Sequence, residues 1–165
     1  MKLFFCFIII FMFGLIGYTF SNFYLYRKKF FFNLDMFVKA FKMNVNFSSK
    51  KLIVFIDDYI KNVHDKSFSQ LLLNFKNAIT MNSSFDYQLL FHDINILNKH
   101  EKESVFQLFS KLGRVNVLSQ NDYIDGFLDI SAEFYNSSKN ESIKYSSLYT
   151  KLGIILGVLL VIIIY

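Results

Sequence analysis

The chain is predicted to be all-α, an antiparallel bundle of about six helices whose first and last members continue into N- and C-terminal transmembrane spans. Three observations carry this expectation. Apolar runs stand at both ends of the 165-residue chain, Leu3 to Phe20 and Leu152 to Tyr165, with a polar middle between them. Within that middle, apolar residues recur at three- and four-residue steps, and no stretch alternates as a strand would. Proline is absent and glycine numbers only six, so little interrupts a helix.

The first element is a membrane helix. An apolar run of about 18 residues or more crosses the hydrocarbon core at 1.5 Å per residue, and Leu3 to Phe20 meets that length. The C-terminal run is shorter, but Leu148, Tyr149 and Thr150 extend it, and Lys151 can snorkel its amine to the interface. Only Lys2 precedes the first run, whereas Arg27, Lys28 and Lys29, then Lys39 and Lys42, follow it. Lys151, with Lys144 behind it, guards the inner edge of the second. Because cytoplasmic flanks carry the Lys/Arg excess, the middle is expected in the cytoplasm and both termini across the membrane. The chain thus divides into an N-terminal transmembrane helix (1–21), a cytoplasmic helical bundle (22–147) and a C-terminal transmembrane helix (148–165), a two-pass protein of the cell membrane. The rival is a cleaved signal peptide ending near Thr19-Phe20-Ser21; the basic cluster that follows opposes translocation, and Phe20 spoils a small-residue cleavage site.

The first span is expected to run on as one long helix, with a seam of Phe30, Leu34, Phe37, Phe41 and Val45. Ser48-Ser49 should end it and cap a second helix, whose inner face holds Ile53, Ile56, Ile60 and Val63. A capping box at Ser67-Phe68-Ser69-Gln70 is expected to open the third, with Leu71, Leu72, Phe75 and Ile79 inside. Ser83-Ser84 should start a short fourth helix reaching about His92, turning Phe85, Leu89 and Leu90 inward. Asn98-Lys99-His100-Glu101 is a second capping box; the fifth helix behind it buries Val105, Leu108, Phe109 and Leu112, and Gly113 ends it. Phe106 is expected to be mostly buried as well. Asn116 is the expected cap of the sixth helix, with Val117, Ile124, Phe127 and Phe134 as its seam. The polar stretch Asn136 to Ser142 is expected to be a solvated neck leading to the second span.

Charge and composition exclude several function classes. The net charge is +5, but the excess lies close to the first span, where residues 21–52 hold Arg27, Lys28, Lys29, Lys39, Lys42, Lys50 and Lys51 against Asp35 alone. Residues 53–150 are acidic on balance. Basic side chains so placed suit anionic headgroups, making membrane lipids the expected partner of Arg27, Lys28, Lys29 and Lys151 rather than nucleic acid. Cys6 is the only cysteine, so no internal disulfide and no thiolate metal site is available. His64, His92 and His100 fall at no ligand spacing, and no Gly-rich phosphate loop or paired catalytic carboxylate occurs. No catalytic residue, cofactor site or metal site is therefore expected, and the chain is not expected to be an enzyme.

Two constellations remain. Gly14, Gly17 and Ser21 share a face of the first span, and Gly153 and Gly157 form a GxxxG in the second, a pattern that lets helix backbones approach closely in a bilayer. Asp122, Asp125, Asp129 and Glu133 lie at helical spacing opposite Ile124 and Phe127. That stripe is either the solvated face of an amphipathic helix or a docking face for a basic partner.

Several blocks carry a family resemblance. Leu112-Gly113-Arg114, with Asn116 and Gln120 beyond it, precedes the long last helix; Leu148-Tyr149-Thr150-Lys151-Leu152-Gly153 then leads to Gly157 and the terminal apolar run. Together with Gly17, Ser21 and Arg27, these blocks resemble the stage III sporulation protein AB family over almost the whole chain. Where that family often has a Pro near the second helix this chain has Ser48-Ser49, and it lacks a Trp usual in the fourth. The resemblance implies a bundle similar to the cytoplasmic domains of type II secretion inner-membrane platform proteins, without catalytic residues. It further implies a platform role in a trans-envelope channel of the mother cell, with a secretion-type ATPase and other channel subunits as partners. From the residues alone, a membrane-anchored adaptor or regulator whose bundle captures a cytoplasmic signalling protein stays open beside it.

Overall fold

The computed structural model describes residues 2–48, 51–81, 86–112 and 117–164, with residues 2, 3, 48 and 117–121 described by backbone alone. Among the described residues every regular element is a helix. α1 spans Lys2–Met43 and passes into a π-helical turn, Asn44–Ser48; α2 is Leu52–Ile60, α3 Lys66–Thr80, α4 Tyr87–Leu90, α5 Lys99–Lys111 and α6 Val117–Ile164. These elements form two compact units, Met1–Lys28 with Asn136–Tyr165, and Lys29–Tyr135.

The unit Lys29–Tyr135 is the helical bundle. The seam of α1 reads as its spacing predicts: Phe30, Leu34 and Phe37 are fully buried and Phe41 nearly so, with Phe31 and Val38 widening the stripe, while Val45 is half-buried. Phe37 is the hub of the core. Its ring lies 5.2 Å from Tyr59, 5.6 Å from Phe55, 5.7 Å from Phe109, 5.9 Å from Phe68 and 6.2 Å from Phe41. Phe109 in turn meets Phe75 edge-on at 4.7 Å. Such offset and edge contacts add about 0.5–1.5 kcal/mol per pair beyond area burial.

One polar group sits in this core. Asp35 is 4% exposed, and its carboxylate accepts from Lys39 Nζ at 2.6 Å and from Ser131 Oγ at 3.2 Å. Pairing and hydrogen bonding make the burial of that charge tolerable. The nearby Tyr59 hydroxyl donates weakly to the Asn33 carbonyl at 3.4 Å. Its phenol pKa is pushed up to about 12, chiefly by burial and secondarily by the Asp35 charge.

The helix starts correct several expectations. α3 is capped not at Ser67 but at Asp65, whose carboxylate accepts from the Phe68 amide at 2.8 Å. The helix begins one residue later, so Ser67 lies within its first turn, and Phe68 points into the core. α4 is a single turn opened by Asp86, whose side chain accepts from Gln88 N. It stops short of His92, and Asp93 then adopts a left-handed φ of 65° that ends helical propagation. Leu89 is consequently 54% exposed rather than inward, while Leu90, Phe91 and Ile94 are buried. α2 has Lys51 at its cap position with no side-chain cap bond, so no serine caps it, and Val63 lies beyond its end. Ser49, Ser83-Ser84, Phe85, Gly113-Arg114 and Asn116, and the side chains of Val117 and Gln120, lie outside the described residues.

α5 starts as expected. Asn98 N donates to Glu101 Oε2 and Glu101 N to Asn98 Oδ1, both at 2.9 Å, a reciprocal capping box. Val105, Leu108, Phe109 and Leu112 are buried behind it, with Phe106 half-buried. On α6, Ile124 and Phe127 are buried and Phe134 is half-buried.

The other unit pairs the first part of α1 with the last part of α6. Residues 136–142 are solvated only in part: the helix is unbroken there, and Asn136, Ser137, Lys139 and Asn140 are exposed, but Ser138 and Ser142 are 1% and 3% exposed. Serine is polar yet small, so it packs where helices come close. Most large apolar side chains of this unit point outward, among them Phe4, Phe7, Phe11, Leu156 and Ile163.

Candidate functional site

Glycine sets the helix contact in the membrane-length unit. A Cβ on Gly17 would fall 2.5 Å from the Tyr149 carbonyl oxygen and 3.1 Å from Gly153 Cα. A Cβ on Gly153 would fall 2.5 Å from the Phe13 carbonyl oxygen, and one on Gly157 would fall 2.9 Å from Ile10 Cα. All three obstacles are backbone, which cannot swing aside. Gly14 differs, since its nearest neighbour would be the Ile154 side chain at 3.9 Å, an ordinary contact. Ser21 is 6% exposed and continues the small-residue face. Close backbone approach of this kind drives helix association where no hydrophobic force operates.

Above the glycines lies an aromatic stack. Tyr24 and Tyr149 are nearly parallel with centroids 5.6 Å apart, Phe20 stacks on Tyr149 at 5.8 Å, and Tyr145 lies 5.3 Å from Tyr24. Tyrosine clusters of this sort suit the level of the headgroups. Beyond the stack, the Arg27 guanidinium forms an ion pair with Glu141. The Arg27 side chain is only 12% exposed, so its charge is directed inward to that carboxylate. Lys28 is half-buried, and Lys29 and Lys151 are exposed. The Arg27–Glu141 pair is invisible to local pattern, being 114 residues apart. A signal does exist: Arg27 stands seven residues after Phe20 and Glu141 eight before Tyr149, matching depths below a stacked pair.

The acidic face lies in the bundle unit. Asp122, Asp125, Asp129 and Glu133 are all exposed. Asp125 forms an ion pair with Lys42 of α1, which neutralises one member of the stripe. Among the described residues Asp122, Asp129 and Glu133 make no ion pair. The histidines stay apart: His92 Nδ1 meets only its neighbour Asp93, at 2.6 Å, and the His100 ring rests edge-on to Phe134. Among the described residues no cluster of His, Cys, Asp or Glu could hold a metal ion.

α1 and α6 each contain a segment long and apolar enough to cross a membrane. Their apolar residues are mostly exposed, unlike those of a soluble core helix, and in water such a surface would aggregate. The profile for stage III sporulation protein AB matches residues 2–165. The chain belongs to that family. As a stage III sporulation protein AB family member it is a sporulation protein, and the match covers both apolar helices as well as the bundle between them. No curated protein and no solved structure matches the chain.

Proposed function

We propose that this family member is a non-enzymatic platform subunit of a trans-envelope channel complex, held in the cell membrane by two spans. In this reading the bundle lies in the cytoplasm with both termini outside, and it links a secretion-type ATPase to the channel. The observation that carries the reading is the family match across residues 2–165, which includes both membrane-length helices together with the bundle. The architecture supports it: a rigid aromatic core presents faces, and Asp129 and Glu133 stand exposed on one of them. Such a face suits a basic partner, and contact through it should weaken with salt, because exposed charges are screened beyond about 8 Å at physiological ionic strength.

Affinity purification of the full chain from sporulating cells tests this directly. The ATPase and further channel subunits should copurify, and Asp129→Lys with Glu133→Lys should abolish ATPase recovery while leaving helicity and membrane insertion unchanged. Recovery of a signalling protein without the ATPase would overturn the platform reading in favour of an adaptor. For topology, a reporter active only outside the cytoplasm should give signal after Tyr165 and none near Asn140.

A further inference from the structure

A recess opens on the membrane-length unit where its apolar part gives way to its polar part. Thr19, Phe20, Phe23 and Tyr24 of α1 and Tyr149 of α6 line a cleft of about 460 Å³, inside the range of about 300–1,000 Å³ usual for ligand sites. The cleft is dry. The Thr19 hydroxyl donates to the Ile16 carbonyl at 2.7 Å and is thus spent within its own helix, and the other walls are rings. From Thr19 to Tyr24 it runs about 7.5 Å along α1, at 1.5 Å per residue.

The rings lead from this cleft to a cation. Tyr24 and Tyr149 both meet Tyr145, at centroid distances of 5.3 and 6.3 Å. Lys144 holds its ammonium over the Tyr145 ring, 5.2 Å from the centroid. Lys144 is exposed, and among the described residues no carboxylate pairs with it. One turn beyond Tyr24, the Arg27 and Glu141 charges are matched to each other. Lys144 therefore sets the sign of the site.

We propose that the recess holds one anionic phospholipid, with the upper part of an acyl chain in the cleft and the phosphate against Lys144. In this reading, which rests on the two spans proposed above, location dictates the occupant: hydrocarbon and headgroups are what surround these residues. Phe20 closes the apolar run of α1, and Tyr24 and Tyr145 stand where aromatic side chains mark the headgroup level. Lys144 lies five residues, about 7.5 Å along the helix, to the polar side of Tyr149. That offset puts hydrocarbon beside Phe20 and Phe23 and phosphate beside the ammonium, the order in which a phospholipid presents them. Charge selects among lipids. An anionic headgroup complements the uncompensated Lys144, whereas a zwitterionic one also brings an amine that Lys144 repels.

Titrating the delipidated full chain in detergent with phosphatidylglycerol or phosphatidylethanolamine, and counting bound lipid by native mass spectrometry, tests the site. One phosphatidylglycerol should bind per chain, about tenfold more tightly than phosphatidylethanolamine. Thr19→Trp, which fills the cleft from an exposed position, and Lys144→Gln should each weaken phosphatidylglycerol binding about tenfold at unchanged helicity. Lys151→Gln should not, because that exposed lysine of the same unit points about 160° around α6 from Tyr149. Equal affinity for the two lipids, indifference to Thr19→Trp, or equal losses with Lys144→Gln and Lys151→Gln would each overturn the proposal. Lys144→Gln alters only an exposed side chain, so its result stands even where Thr19→Trp disturbs the helix pair. Release of the chain from membranes by alkaline carbonate would overturn the two-span reading and the site with it. Retention in the membrane without the lipid preference overturns the site alone.

Discussion

Gly17 and Gly153 meet backbone to backbone, each occupying the space a side chain would need on the other: a Cβ on Gly153 would lie 3.0 Å from Gly17 Cα. The contact ranks the small residues of the two apolar helices. Gly17→Ala and Gly153→Ala must force the helices apart and should destabilise the pair by about 1–3 kcal/mol, the usual range for overpacking. Gly14→Ala, with only the Ile154 side chain in reach, should be near neutral. Thermal unfolding of the full chain in detergent measures all three, and equal effects at Gly14 and Gly17 would refute the ranking.

The Arg27–Glu141 pair should behave as a unit. Glu141→Gln leaves a guanidinium that is mostly shielded from water without its carboxylate. Because Glu141 is itself about a third exposed, the expected cost is about 1–3 kcal/mol rather than that of a fully buried pair. Arg27→Met combined with Glu141→Met should cost less than the two single changes added together. Additive losses in a double-mutant cycle would show that the two side chains do not depend on each other.

Core and surface should separate cleanly in the bundle. Phe109→Ala removes a ring that touches both Phe37 and Phe75 and should cost about 3–5 kcal/mol. Leu89→Ala, at a side chain more than half exposed, should cost well under 1 kcal/mol. Urea denaturation followed by far-UV circular dichroism distinguishes them. A large loss at Leu89 would mean that the single turn α4 is more tightly covered than its exposure indicates.

Tyr59 supplies a pH dependence. Its folded pKa is raised from 10.0 to about 12. The native state holds the phenolic proton more tightly than the unfolded chain does, so the stabilisation is complete below about pH 10 and is lost as pH climbs from 10 toward 12. Burial also raises Tyr87 and Tyr123, so ultraviolet titration should show several tyrosines ionising late, and Tyr59→Phe should remove the latest of them. Its survival in the variant would assign the shift elsewhere.

Legibility followed the range of the interaction. The α5 capping box was readable because both bonds close within four residues, and the α1 seam was readable because Phe30, Leu34, Phe37 and Phe41 repeat with the helix itself. The start of α3 was not legible: Ser67 was expected as its cap, but Asp65 holds that place. The burial of Phe68 against Phe30 and Phe37 selects the aspartate. Leu89 and Leu90 are adjacent and alike, so only the turn at Asp93 decides which of them the core receives. Ser138 and Ser142 read as solvated because serine is polar; their small volume matters more where two helices nearly touch. Of the acidic face, exposure was legible, but the claim of Lys42 on Asp125 was not, since it joins residues 83 positions apart.

The ring of Phe37 also has a history within each molecule. Its neighbours emerge from the ribosome in sequence: Phe41 at once, Phe55, Tyr59 and Phe68 within a few turns of synthesis, and Phe109 only after 72 further residues. Until α5 arrives, one face of that ring has nothing to rest on. Non-local closures of this kind slow folding and leave apolar surface open to wrong partners in the interval. A nascent chain halted before Phe109 should thus be a client for chaperones, and one released after α6 should not.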